Sequence, residues 1–266
     1  MSVWVVKEQS HATFTKVSGG YDAVLGARGS KLQLVLNAIF HLEASPGNIL
    51  WSDYQTIKKH GAVALPIPLA VGDNYRGYRL VGTEPEMFEH AYSPGKTYEV
   101  ESGGQLFEAG YKEAVVGSFA ARRLGLKVRD QFNPYHGLIF NEDAMHKDIY
   151  VVVGILKPTS TPVDRVIWIP ISGLQNMAGH DPKSATDVSA VLVKLRAPTA
   201  GFMMDQMYNK QGDKMTFAFP IGAVMAQLFD KIAWFDKILE LVAYLVALVA
   251  IGSILASIYN SMNERR

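Results

Sequence analysis

The 266-residue chain contains no cysteine. That excludes disulfide scaffolds, thiolate metal sites and cysteine nucleophiles, and it leaves the compartment open. An excess of either charge is also lacking, since 26 basic against 25 acidic residues leave a net +1. A nucleic-acid binder shows a basic excess on some face, so no nucleic-acid partner is expected. The first residues, MSVWVVKEQ, hold a four-residue apolar run, far short of a secretory signal. Gly26-Ala27-Arg28-Gly29-Ser30 leads from an expected strand to an expected helix. It lacks the G-x-G-x-x-G spacing and the G-K-[ST] ending of phosphate cradles, so its glycines read as turn residues. Ser, His and Asp occur without a nucleophile elbow. Seven histidines are scattered along the chain. Glu142, Asp143 and His146 are spaced so that two ligands could share a helical face, but Asn141 beside them favours a solvated loop. No catalytic residue, cofactor or metal is expected.

What is present is apolar residue in excess, and it is concentrated at one end. Leu241 to Met262 runs 22 residues without a charge. At about 1.5 Å per residue such a helix is roughly 33 Å long, enough for a hydrocarbon core of about 30 Å. The alternative is a buried helix of a soluble protein, which rarely runs so far uncharged. Gly252, Ser253, Ala256 and Ser257 are small enough to let another membrane helix approach. Lys231 and Lys237 flank one end and Arg265 and Arg266 the other, so the positive-inside count is a tie. Ahead of the span, Ile221, Met225, Leu228, Ile232, Phe235, Leu239 and Val242 follow spacings of 4, 3, 4, 3, 4 and 3. That is a heptad seam, and it reads as a stalk continuous with the span. An ordinary amphipathic core helix before residue 237 is the other reading.

The remainder alternates strands with short helices. Residues 3–17 carry a weak amphipathic pattern. A strand is expected over 21–26, then a helix capped by Ser30 and running to Leu42. Ser52 or Asp53 is placed to cap a second helix to His60. Ala62–Val71 and Tyr75–Val81 read as two strands around a turn at Gly72-Asp73-Asn74, with Pro66 and Pro68 demoting the first to an edge or irregular strand. Beyond residue 94, residues 113–116, 127–132, 149–156, 165–170 and 188–195 are strand-like, 118–124 is a short helix and 157–164 a loop. This texture indicates an α+β region inserted between the first unit and the C-terminal part.

Four stretches resemble one family. YDAVLGARGSKLQLVLNAIFHLEASPGNI (21–49), PLAVGDNYRGYRLVGTEP (68–85), YVVVGILKPTSTPVDRVIWIP (150–170) and NSMNERR (260–266) are similar to segments of MacB/FtsX-like ABC transporter permeases. Gly26, Gly29, Ser30, Gln33, Pro46, Gly47 and Asn48 carry the first motif. The resemblance implies an α+β fold with a MacB-like periplasmic core domain of two α/β subdomains, one inserted, over residues 1–220. The insertion would span about 95–200. A stalk helix would follow over 221–237, then a transmembrane helix over 238–259 and the start of a cytoplasmic segment over 260–266. It also implies a bacterial inner (plasma) membrane location with residues 1 to about 237 periplasmic. The implied partners are a cytoplasmic ABC ATPase subunit, a second permease subunit in a homo- or heterodimer, the lipid bilayer and a periplasmic partner. Family members have four membrane helices, so the chain reads as a fragment of a longer permease. The implied role is a non-catalytic permease subunit for export or mechanotransmission, which couples ATP hydrolysis elsewhere to motion of a periplasmic domain. Ile221, Met225, Leu228, Ile232, Phe235 and Leu239 would form the coupling seam, and Gly252, Ser253 and Ala256 the membrane packing face. A membrane-anchored scaffold or regulator of a periplasmic partner is the alternative.

Overall fold

The structure, a computed structural model, describes residues 18–136, 145–177 and 186–263. The side chains of 231–233, 235 and 236 lie outside that description. So do the amphipathic pattern of 3–17, Glu142, Asp143 and the last three residues of NSMNERR.

In chain order the elements begin with β1 (Ala23–Ala27), α1 (Lys31–Ala38), β2 (Ile49–Leu50), α2 (Trp51–Lys58), β3 (Val63–Tyr75) and β4 (Tyr78–Thr83). Next come α3 (Glu86–Glu89), β5 (Ala91–Ser93), β6 (Lys96–Thr97), β7 (Glu113–Val116), α4 (Ser118–Leu124), β8 (Gln131–Phe132) and β9 (Tyr135–His136). The chain continues through β10 (Tyr150–Ile155), β11 (Ile167–Pro170), α5 (Ile171–Gln175), β12 (Asp187–Val188) and β13 (Ala190–Leu195). It ends with α6 (Pro198–Asp205), β14 (Met215–Ala218) and α7 (Ile221–Asn263). Contacts divide the chain into two units, Met1–Met225 and Ala226–Arg266.

In the first unit a ten-stranded mixed sheet runs β14-β1-β13-β3-β4-β11-β7-β10-β8, with β9 added on β3. β3 joins its two halves. Its first part, to Leu69, pairs antiparallel with β13, and from Ala70 it pairs with β4. One core, built on Leu25, Tyr54, Val191 and Phe217, lies in the β14-β1-β13 half. The other, built on Leu80, Val116, Tyr150 and Ile169, lies in the β4-β11-β7-β10 half. The two halves share one continuous sheet. The second half already begins within β3 and β4, while β13 belongs to the first. A single strand long enough to serve both halves leaves no compositional break to read.

Pro66 and Pro68 sit inside β3, opposite Val193 and Val191. Alternate residues of a strand turn their backbone groups to opposite sides. Leu69 turns toward β13, where its carbonyl accepts from Ser189 N at 2.8 Å, and the Pro68 carbonyl turns away, accepting from Thr83 Oγ1 at 3.0 Å. The strand expected at an edge is therefore an interior one, and it tolerates the prolines because they face the side of β3 that has no ladder at that point.

The hairpin turn lies later than expected. β3 continues through Tyr75, opposite Tyr78, and the reversal is made by Arg76 (φ 49°) and Gly77 (φ 83°). Two successive positive φ values define the tight turn that matches strand twist. Asn74 Oδ1 accepts from Gly77 N at 3.2 Å. Gly72-Asp73 becomes instead a register irregularity within the strand, between Val71 and Asn74. α1 is capped as expected, Ser30 Oγ accepting from Gln33 N at 3.4 Å. It stops at Ala38, short of Leu42, because His41 takes a left-handed φ of 55° and Asn37 Nδ2 donates to Glu43 O at 2.6 Å. Neither Ser52 nor Asp53 is the N-cap of α2. Leu50 is, and the Asp53 carboxylate reaches back to accept from Leu50 N at 3.0 Å.

Candidate functional site

The first-motif residues converge on one junction. Gly26 in β1 faces Leu34 of α1 so closely that a Cβ would collide with that side chain. Gly29 N donates to Thr216 Oγ1 at 3.0 Å, and that hydroxyl donates back to Gly29 O at 3.1 Å. A Cβ on Gly29 would lie 3.0 Å from Pro46 Cβ, and Gly47 takes a φ of 145° against Ala27. Gln33 Nε2 donates to Ala44 O at 3.3 Å. Asn48 Nδ2 donates to Asp187 Oδ2 at 3.0 Å, and Asn48 Oδ1 accepts from Ser189 Oγ at 3.1 Å. Arg28 Nη1 donates to Met215 O at 3.1 Å and Tyr208 O at 3.3 Å. The motif's donors are therefore directed at the protein's own carbonyls, at the Thr216 hydroxyl and at the Asp187 carboxylate, where they clamp β1, α1, the 43–48 loop and β14 together. β14 leads into α7.

α7 is 43 residues long. Its first turn belongs to the domain: Ile221, Val224 and Met225 are buried, the Pro220 carbonyl accepts from Ala223 N and Val224 N, and Ile221 N donates to Asp22 O. Two members of the seam, Ile221 and Met225, are thus core residues, and Leu228 is half-buried. Ile232 and Phe235 have side chains outside the description, and Leu239 is 65% exposed. From Lys237 to Asn263 the helix is apolar enough and long enough to cross a membrane, with a mean hydropathy of 2.5 and none of its most apolar stretch buried. At about 1.5 Å per residue those 27 residues extend roughly 40 Å. Leu245, Leu248, Ile251 and Leu255 are all more than half exposed. An exposed apolar surface of that length is what lipid, rather than water, solvates. Gly252 has nothing near the position of its absent Cβ, and Ser253 Oγ turns inward to donate to Val249 O at 2.9 Å. Together with exposed Ala256 they leave a low, small-residue face on the helix.

A small apolar cleft lies beneath α1, lined by Ala38, Ile39, Met87, Val163, Trp168 and the rings of Tyr21, His41 and Tyr98. Burial holds His41 neutral, lowering its pKa to about 3, with Arg79 adding to the effect. Burial likewise pushes the Tyr21 hydroxyl up. Nearby, buried Asp164 closes the 157–164 loop. Its carboxylate accepts from Thr159 N, Ser160 N at 2.8 Å and Thr159 Oγ1 at 2.8 Å.

A cluster that sequence reasoning missed lies where β9 meets β3. Asp73 and His136 are directly opposed in that ladder. Asp73 Oδ1 lies 2.6 Å from His136 Nδ1 and 3.2 Å from His146 Nε2. The Asp73 and His146 side chains are buried, while that of His136 is 45% exposed. His146 N donates to Pro134 O at 2.9 Å, and Asn133 Nδ2 donates to the carbonyls of His146 and Asp148. Lys112 pairs with Asp148. Burial, with Asp148 and Asp73 adding, pushes the nearby Tyr150 hydroxyl up. His146 stands with Asp73 and His136, while Glu142 and Asp143, spaced near it in sequence, lie outside the described residues. The turn-like look of Gly72-Asp73-Asn74 hid the carboxylate.

No protein-family model matches the chain, and no curated protein matches it in sequence. Solved structures do. The periplasmic region of MacB from Actinobacillus actinomycetemcomitans is similar with a TM-score of 0.51 at 12% identity, over 81% of this chain and 94% of that one. The extracellular domain of the noncanonic ABC-type transporter YknZ from Gram-positive bacteria is similar with a TM-score of 0.46 at 15% identity, over 74% of this chain and 99% of that one. The chain therefore has the fold of the MacB periplasmic region, followed by one long apolar helix that is a candidate membrane span.

Proposed function

We propose that this chain supplies the extracytoplasmic domain and one membrane helix of a permease subunit in an ABC-type transporter of the bacterial plasma membrane. The observation that carries the reading is the pairing of a MacB-type periplasmic fold with a helix that starts in the domain core at Ile221 and runs unbroken into the apolar stretch 237–263. In this reading the chain performs no chemistry. A cytoplasmic ATPase subunit hydrolyses ATP, a second permease subunit completes the assembly, and helix motion reaches the ectodomain through α7. An unbroken helix carries tilt or axial displacement along its length, whereas a loop absorbs it in backbone torsions. Burial of Ile221, Val224 and Met225 supports the same reading, because a lever needs an anchored end. Gly252, Ser253 and Ala256 provide the face against which another membrane helix moves.

Because the chain has no cysteine, single introduced cysteines report cleanly. A thiol at Ser52, on the exposed side of α2, is expected to react in intact cells with a membrane-impermeant maleimide. A thiol at Ser261 is expected to react only after permeabilisation. Labelling of both from the same side would refute the topology. Coupling is tested in the permease assembled with its ATPase, using cysteine pairs at Leu228 and Ile232 in two copies of the subunit. Crosslinking is expected to lower transport-coupled ATP turnover, and unchanged turnover in crosslinked assemblies would refute the role of the seam.

A further inference from the structure

We propose that Asp73, His136 and His146 form a binding site for a divalent transition-metal ion of the zinc type. The site offers two imidazole nitrogens and one carboxylate oxygen, all within 4.8 Å of one another. Donor atoms around a tetrahedral ion with bonds of about 2.0–2.1 Å stand roughly 3.3 Å apart. The His146 Nε2 to Asp73 Oδ1 separation of 3.2 Å already meets that spacing. The His136 pair, at 2.6 Å, needs a small outward shift, and His136 is the exposed member with room to make it. The two rings meet edge to face, with centroids 4.3 Å apart and planes at 74°, so that one ring nitrogen of each is directed at the same oxygen rather than the rings stacking.

The scaffold is built to hold this geometry. Asp73 and His136 are fixed opposite each other by the β3–β9 ladder. The return of the chain to His146 is held by the Tyr135–Met145 bridge, by His146 N on Pro134 O and by Asn133 Nδ2 on the His146 carbonyl. These bonds fix the backbone from which the His146 ring projects. Two buried ligands and one exposed one give an entry path. Three protein donors leave a fourth position for water or a second ligand, the pattern of sites that exchange or act on what they bind. Imidazole nitrogen in two of three positions favours Zn²⁺, Cu²⁺, Ni²⁺ or Co²⁺ over Ca²⁺ and Mg²⁺, which take oxygen. The site stands on these side chains alone, so it is independent of the transporter reading.

The test uses the full chain in detergent micelles, without a polyhistidine tag and stripped by a chelator. It is titrated with Zn²⁺ against a chromophoric competitor, and separately with Co²⁺ followed by visible absorption. One equivalent of Zn²⁺ is expected to bind, with tetrahedral-type Co²⁺ bands and no displacement by excess Ca²⁺. H136A alters the exposed ligand, so its fold can be checked by an unchanged unfolding midpoint in chelator. It is expected to weaken binding by more than about tenfold, since even supporting residues cost that much at metal sites. D73N and H146Q are expected to do the same. Absence of a saturable single equivalent, unchanged affinity in H136A, or displacement by Ca²⁺ would overturn the proposal.

Discussion

If the stretch 237–263 is solvated by lipid, its insertion should be reversible by a calculable number of charges. Between Leu241 and Tyr259 lie ten Leu, Ile and Val residues. At about −0.3 to −0.6 kcal/mol each near the centre of a span, they favour insertion by about 3–6 kcal/mol in sum. Gly252, Ser253 and Ser257 draw on that margin rather than adding to it. An arginine at the centre costs about 2.5–3.5 kcal/mol and also removes the side chain it replaces. Each Val→Arg change thus moves the balance by about 3–4 kcal/mol, and two move it by about 6–8 kcal/mol. Val246→Arg alone should leave a mixed population, whereas Val246→Arg with Val249→Arg should exceed the whole apolar gain. Arginine is a good helix former, so the helix itself survives the change. The assay is alkaline carbonate extraction of membranes, followed by the soluble-to-pellet ratio of the chain. The unsubstituted chain should stay in the pellet, the single variant should divide, and the double variant should be mostly soluble. A double variant retained in the pellet as firmly as the parent would refute the reasoning. So would a parent chain that stayed monodisperse in detergent-free buffer.

Three further outcomes follow from the packing and electrostatics of the domain. Gly117→Ala places a Cβ 2.5 Å from the backbone of Val163 and Asp164, where nothing flexible can yield. It should destabilise the domain by about 1–3 kcal/mol in urea unfolding, the usual cost of overpacking. Asp164→Ala leaves Thr159 N and Ser160 N without their carboxylate. A loss of about 1.5–3 kcal/mol is expected, and Asp164→Asn should recover part of it. His41 stays neutral in the fold down to a pKa of about 3 but takes up a proton near 6.5 when unfolded. The unfolded state therefore binds more protons between those values, and stability rises with pH across that window. The unfolding free energy should fall as pH drops from about 6.5 toward 3, by up to a few kcal/mol, and His41→Phe should flatten that slope. An equal slope in parent and variant would locate the acid sensitivity elsewhere.

The parts of this molecule that are legible in sequence are those whose signal is local. The 22-residue uncharged run announces α7 by length alone, and Ser30 announces α1 through a single hydroxyl three residues from the amide that it accepts from. The strand at 113–116 and the helix at 118–124 read correctly because Gly117 separates them and Gly125 ends the second with a φ of 70°. Local pattern misleads where a non-local partner decides the outcome. Gly72-Asp73-Asn74 has turn composition, but pairing with β9 and β4 keeps it in a strand, so the reversal moves to Arg76-Gly77. The helix expected to reach Leu42 stops early because Asn37 and the 43–48 loop, clamped under Gly29, claim the chain first.

The same distinction governs the sites. The heptad seam is a one-dimensional pattern legible in the sequence, yet periodicity does not divide it. Burial shows that Ile221 and Met225 are spent on the domain core, while Leu239 lies in the exposed apolar stretch. A repeat of apolar residues states only that a face is apolar, and what covers that face changes along the helix. The Asp73–His136–His146 cluster has no such pattern at all, since its carboxylate lies 63 residues before the first histidine. It exists because a two-residue strand, β9, adds to the far end of β3 and brings His136 opposite Asp73. That strand is held by its pairing with Asp73 and Asn74 and by the buried Tyr135 ring, neither of which depends on the His136 side chain. A single substitution in the cluster should therefore change ligand binding while leaving the β3–β4 pairing and the core beneath it in place.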